Sequence, residues 1–447
     1  MNGSTLKDLE YRTEIVGRIA DLDRVQWAEL IQADAADRSA VCPLGHPFVR
    51  HEWLDALESS GSASPETGWT PLHLLLRSDD GTLMGAAILY AKDHSWGEFV
   101  FDHAWANAHQ RNGIPYYPKL VAAIPFTPVA GPRLIARNAD VRAALAKALP
   151  IVARSGQLSS VHLLFPQAAD EAALAIAPEP PSEPDQPSDA DQADQADQAD
   201  QADQADQADQ ADQADQADHA DHSDHWLRRN GVQFHWQSDR WTDFEDFLNS
   251  MAQPKRKKIR AERRKVAEAG VTVRVVDVAQ SRAEERAFFI ACYERTYYEH
   301  GGPPYLNHEF WNQVFDTMPE HFALVLAHAG DRLIASSLIA HDGINAWGRY
   351  WGAMERVPCL HFECCYYAPI EWAIARGLQR FEGGAQGEHK LARGLLPVAT
   401  SSYHWLSHPA FETAIERWLN RERSGVAHYL DELDERSPLR DSRGETA

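Results

Sequence analysis

The chain has 447 residues, enough for two or three domains with their own cores, and a formal charge of −23. The charge is local: residues 170–224 hold 18 acidic and no basic residues, which leaves 43 basic against 48 acidic elsewhere, a net of −5 that argues neither for nor against nucleic acid. Five cysteines without framework spacing (Cys42, Cys292, Cys359, Cys364, Cys365) argue against a disulfide scaffold, and no signal-type apolar core or membrane-length window is present, so the expectation is a cytoplasmic protein without membrane insertion.

In chain order, the first distinctive string is PFVRHEW (47–53). LHLLLRSDDGTLMGAAILYA (72–91) reads as two strand-like runs around Asp80-Gly81, a hairpin signal. A third strand is expected at WGEFVFDHAW (96–105), a helix near YYPKLVAAI and an apolar strand at SSVHLLFP (159–166). From Asp191 to Asp218 the chain repeats D-Q-A behind a Pro-rich leader, PEPPSEPDQP (178–187). Such a run has no large apolar residue to offset its ordering entropy, so 178–224 reads as a disordered acidic insertion. His219, His222 and His225 read as variants of a slipped repeat, not as a metal tract.

Beyond the strand FHWQS (234–238), Lys255 to Lys265 (KRKKIRAERRK) packs eight cations into eleven residues within a helix expected over 252–269. It is expected to be cationic nearly all round: a solvated inter-domain helix, or a phosphate-binding ridge using Lys255, Arg256, Lys258, Arg260, Arg263 and Arg264, with tRNA as candidate partner. Then come PYLNHEF (304–310), a hairpin over 322–340 turning at Gly330-Asp331, and a strand over 344–354. A helix over 366–378, a strand at QRFEGGA (379–385) and the strand YHWLS (403–407) follow.

PFVRHEW is answered by PYLNHEF, Tyr116-Tyr117 by Tyr366-Tyr367, and FHWQS by YHWLS, in the same order. Three ordered matches imply an internal duplication. The expected units are residues 1–240 and 241–447, each an α/β (α+β) mixed sheet flanked by helices and closed by its own last strand.

PETGWTPLHLL, IPFTPVAGPRL, KRKKIRAERRKVAEAGV, GRYWGA, LHFECCYY, IEWAIARGL and above all FEGGAQGEHKLARGLLP resemble the FemAB-like N-acyltransferases, over nearly the whole chain except the insertion. The resemblance implies two tandem GNAT-like acyltransferase domains and transfer of an acyl or aminoacyl group to an amine, the amine belonging to a small molecule or a cell-wall peptide precursor. It implies acyl-CoA or aminoacyl-tRNA as donor co-substrate, with no tightly bound cofactor. One departure stands out: the usual Gly-rich pyrophosphate loop is replaced by MERVPCLHFECC in the second half and HAWANAHQRNGIP in the first. That leaves the donor open, and keeps alive a non-catalytic GNAT-like protein that binds a peptidoglycan precursor or metabolite.

Acyl transfer needs a base, oxyanion donors and an acid for the leaving group. Phe381-Glu382-Gly383-Gly384 ends a strand on a carboxylate followed by two glycines that admit close approach, so Glu382 is the expected base. His361 and Glu363 are expected to face the same cleft, with Tyr366 or Tyr367 supplying the leaving-group proton. Gln386, His389, Lys390 and Arg393 are expected to bind substrate, the last two taking phosphate or carboxylate. In the fourth strand of the second unit, alternation puts Arg349 and Trp351 on one face and Tyr350 on the other. Asp102, His103, Tyr116, Tyr117, Lys119 and Arg133 form an expected second cleft, for the acceptor. No metal is expected, because the Cys359–Cys365 segment lacks paired zinc spacing.

Overall fold

Residues 11–40, 42–175, 225–384 and 387–439 are described by a computed structural model. The insertion expected at 178–224 and the candidate Gln386 lie outside them.

The first half runs β1 (Arg12–Val16), α1 (Arg24–Asp37), α2 (His51–Ser59), β2 (Trp69–Pro71), β3 (His73–Arg77), β4 (Leu83–Ala87) and β5 (Leu89–Lys92). It continues with α3 (His103–Arg111), β6 (Lys119–Ala122), β7 (Leu134–Ala136), α4 (Ala139–Ser155), β8 (Ser160–Leu164), α5 (Ala168–Leu174) and β9 (Leu227–Gln237). The second half runs α6 (Phe244–Ser250), α7 (Gln253–Glu268), β10 (Val271–Asp277), α8 (Ala283–Glu299), α9 (His308–Thr317), β11 (Phe322–Ala329), β12 (Arg332–His341) and β13 (Asn345–Ala353). It closes with α10 (Leu360–Phe362), a π-helical turn over Glu363–Tyr367, α11 (Ala368–Ala375), β14 (Arg380–Glu382), β15 (Leu396–Leu406) and α12 (Pro409–Glu435).

Both expected hairpins form, β3–β4 turning through Gly81 and β11–β12 through Gly330, each glycine with φ positive. Two expectations fail in the first half. WGEFVFDHAW is a loop entering α3, and YYPKLVAAI yields the strand β6 instead of a helix. The proline at 118 denies a helix its start there, while Leu120, Val121 and Ala122 are fully buried against β5 and β8. Tyr116-Tyr117 therefore precede a strand and Tyr366-Tyr367 lie in a helical turn, so that marker pair is not structurally equivalent.

The other two marker pairs are equivalent, and they touch. Trp53 on α2 and Phe310 on α9, the last residues of the repeated heptapeptide, meet edge to face with centroids 4.9 Å apart. The strands carrying FHWQS and YHWLS pair with each other, antiparallel. The alignment that lays Phe234 on Tyr403 also lays Gly231 on Thr400, and these two are ladder partners. A local two-fold axis thus passes between them, the isologous arrangement of a dimer built into one chain.

The last strands do not close their own units, contrary to expectation: β9 lies between β14 and β15, and β15 between β9 and β8. The result is one eleven-stranded sheet, β10-β11-β12-β13-β14-β9-β15-β8-β6-β5-β2, beside a four-stranded sheet, β1-β3-β4-β7. A core cluster shared by the halves joins Trp27, Phe48 and Trp53 to Phe310, Trp311 and Trp347. Separate clusters fill each outer layer. Among the described residues no helix is long and apolar enough to cross a membrane.

Candidate active site

Strands β13 and β14 are parallel and pair only from Asn345↔Arg380 to Trp347↔Glu382. Beyond Glu382 the second strand stops while β13 runs on to Ala353, so the sheet opens at Gly348. There β13 also bulges: Ser337 faces Trp351 and Leu338 faces Arg349, which makes Tyr350 the extra residue, with φ +52°. The bulge corrects the expected alternation and brings Arg349, Tyr350 and Trp351 together on one cavity wall.

That cavity, of about 450 Å³, is shared by the halves. Its second-half floor includes His361, Cys365, Tyr366, Gly383 and Gly384, with Tyr297 and Tyr305 above. Its first-half wall is the loop Ser95–Phe101, whose Trp96 and Phe101 are 66% and 58% exposed. Sequence reading missed this wall, because WGEFVF imitates a buried strand. It also missed Tyr297 and Tyr305, whose aromatic character is equally that of a core. Gly352 sets the depth of the site: a Cβ there would lie 1.9 Å from the Cys292 carbonyl oxygen, so β13 packs directly on the α8 backbone.

The π turn is local chemistry. Pro369 lacks an N–H and its ring crowds the preceding turn, and the helix widens just before it. The Cys364 carbonyl then accepts a hydrogen bond from the Ser337 hydroxyl at 2.8 Å. The same turn aims Tyr366 at the cavity, its hydroxyl 2.9 Å from His389 Nε2. His361 lies between Trp351 and Tyr366, and burial, helped by His389, Arg393 and Lys390, lowers its pKa to about 4. It is a neutral imidazole at neutral pH. Lys390 is buried and donates to the Gly384 carbonyl at 2.7 Å, and burial lowers its pKa to about 8.

Three expected site residues are spent on structure. Glu363 does not face the cavity; Arg263 of α7 holds it through Nη2 at 3.0 Å and Nε at 3.1 Å. Arg393 lies over the Phe362 ring and donates to Glu262 at 3.0 and 3.1 Å, so its charge is balanced within the protein. Arg133 is buried and donates to the carbonyls of Val129 and Leu164. The basic helix is also not cationic all round, because Ile259, Glu262 and Val266 form a buried stripe. Of its candidates, Arg256 donates to Asn249, Arg260 pairs with Glu245 and Arg264 with Glu268, while Lys258 is exposed and Lys255 half-buried.

Glu382 is buried but does not line the cavity. It sits opposite His235 in the β14–β9 ladder, 3.8 Å from its Nε2, with Arg380 Nη2 3.3 Å from an Oε1 that makes no hydrogen bond. Burial raises its carboxyl to about 7 despite Arg380. The two-fold axis gives this pair a counterpart: His404 opposite His162, whose Nδ1 atoms are 2.7 Å apart. The repeated histidine of the two pentapeptides therefore occupies one position twice.

Four of the first-half candidates form a buried chain behind the cavity. Lys119 donates to Ser95 Oγ and Glu98 at 2.8 Å each and contacts Asp102, which accepts from Tyr116 at 2.6 Å; the Tyr117 hydroxyl also meets Ser95. Burial opposes charge on both Lys119 and Asp102, but Glu98 and then Asp102 raise the lysine, and the lysine lowers the aspartic acid. His103, Tyr116 and Tyr117 line a second, more open cavity. Among the described residues no three His, Cys, Asp or Glu side chains gather as metal ligands.

A family model described as peptidoglycan biosynthesis/recognition matches residues 18–178 and 189–441. The chain belongs to the FemAB-like family. No curated protein matches this FemAB-like chain in sequence. Among solved structures, a crystal structure of FemX is similar at TM-score 0.48 and 10% identity, covering 91% of this chain and 100% of that one. L-PGS from Bacillus licheniformis is similar at TM-score 0.42 and 11% identity, covering 82% and 96%. A tandem GNAT protein from the clavulanic acid biosynthesis pathway is similar at TM-score 0.40 and 13% identity, covering 89% and 99%. The fold is α/β with mixed sheets, and each half has antiparallel strands leading into a parallel pair.

Proposed function

We propose that this FemAB-like chain transfers an acyl or aminoacyl group from an activated donor, acyl-CoA or aminoacyl-tRNA, to an amine held in the shared cavity. The observation that carries this reading is the opening of β13 from β14 beside the Tyr350 bulge, which leaves backbone amides at a cavity wall where a developing oxyanion needs donors. The amine nitrogen attacks the acyl carbon, its proton passes to neutral His361, and the donor oxygen or sulfur leaves with a proton from Tyr366. Glu382 lies off the cavity wall, so neutral His361 takes the role of base in its place.

Transfer is to be measured with acyl-CoAs and aminoacyl-tRNAs against amine acceptors. His361→Ala and Tyr366→Phe are each expected to lower kcat by about 10²–10⁴, and Glu382→Gln by much less. Full turnover in both His361→Ala and Tyr366→Phe sinks the proton assignments. Silence with every donor would instead support a binding protein for a cell-wall precursor or metabolite. That reading gains from Arg393 and Arg263, both engaged by carboxylates and unavailable to donor phosphate.

A further inference from the structure

From the charge of its walls, we infer that the shared cavity selects a ligand carrying an oxyanion, carboxylate or phosphate, on a planar or apolar ring-bearing body. The inference deepens the transferase reading, resting on this cavity as the substrate site, and adds the class of molecule it admits.

No aspartate or glutamate lines the cavity among the described residues, and its one side chain of fixed charge is Arg349. The neighbouring undescribed residues, Ala385 and Gln386, are uncharged by sequence. An anion entering here meets the Arg349 guanidinium and no opposing carboxylate on the cavity wall among the described residues. Arg349 also has donors to spare. Its Nη2 donates to the Phe126 carbonyl at 2.8 Å, but its buried Nε has no hydrogen-bond partner and, among the described residues, no carboxylate lies within 4.0 Å. Buried Glu382 feels its charge but does not bond it, so the half-buried guanidinium keeps a donor for an anion. Orientation helps: the guanidinium carbon sits 4.8 Å from the Tyr350 ring centre, which holds the fork in place from one side.

The body of the ligand is read from the rim. Trp96 and Phe101 stand 66% and 58% exposed on the loop that lines the cavity, while the loop backbone is fixed from behind by buried Lys92, whose Nζ donates to the Trp96 carbonyl at 3.3 Å, and by Lys119 on Ser95. Two exposed aromatic rings on a pinned loop are a preorganised stacking surface.

The test is calorimetric titration of the full chain with matched probes: phenylacetate against phenylacetamide and phenethylamine, and adenosine monophosphate against adenosine. The anionic member of at least one pair should bind about tenfold tighter than its neutral partner. Preference in the phenylacetate pair alone identifies an acceptor carboxylate; preference in the nucleotide pair alone identifies a donor phosphate. Arg349→Gln should erase the anion-to-neutral ratio, whereas Trp96→Ala should weaken every ring-bearing probe and keep that ratio. A ratio that survives Arg349→Gln overturns the inference. So does phenethylamine binding as tightly as phenylacetate, or failure of both anionic probes to bind. Binding is read without turnover, so loss of transfer with intact selectivity would sink only the transferase reading.

Discussion

At residue scale the site depends on where each ionisable group is held. Glu382 is the clearest case, because burial lifts its carboxyl to about 7. Between the ordinary carboxylate range and pH 7 the folded state therefore binds the proton that the unfolded chain releases, so stability falls as pH rises through that window. Glu382→Gln should flatten this part of the pH–stability curve, raising the thermal midpoint at pH 8 relative to pH 5 compared with wild type. An unchanged curve would mean that the carboxyl titrates normally. Glu98 is also raised to about 7 and contributes with the same sign, which is why the single substitution, not the whole curve, isolates Glu382. The strand-Glu-Gly-Gly string was legible as a place of close approach. The direction in which Glu382 points was not, because that follows from pairing β14 to β9.

At element scale the decisive feature is β13. Its strand character is plain from alternating aromatics, but the bulge at Tyr350 turns on how β12 and α8 pack against it. Gly352→Ala is expected to cost more than about 3 kcal/mol, since a methyl group would enter the α8 backbone at Cys292 with no flexible side chain to yield. Denaturant unfolding checks this, and a wild-type midpoint would show that β13 and α8 separate easily. The basic helix teaches the converse lesson. Its eight cations hid a three-residue buried stripe, and its arginines balance Glu245, Glu363 and Glu371 supplied by other elements.

At the scale of the whole molecule, the exchange of last strands makes the halves mutually dependent. Residues 11–240 and 241–439 expressed separately are each expected to lose a paired neighbour in the central sheet and to expose the Trp53–Phe310 interface. Each fragment should be insoluble or lack near-UV circular dichroism, and co-expression should recover a one-to-one complex. A folded, soluble single half would contradict the shared core. The cavity has the same dependence, because its aromatic rim comes from one half and its floor from the other.

The sequence by itself determined the duplication, both hairpins, the strands of the two pentapeptides and the Glu-Gly-Gly turn, because these rest on periodicity and on residues whose local preferences agree with the fold. Tertiary structure alone decided that the two last strands pair with each other, that WGEFVF is a cavity wall, and that Glu363 and Arg393 are charges balanced by Arg263 and Glu262. The physical reason is that pairing, burial and charge neutralisation are set by partners far away in the chain, such as Arg263 on Glu363 or Glu262 on Arg393, which no local pattern encodes.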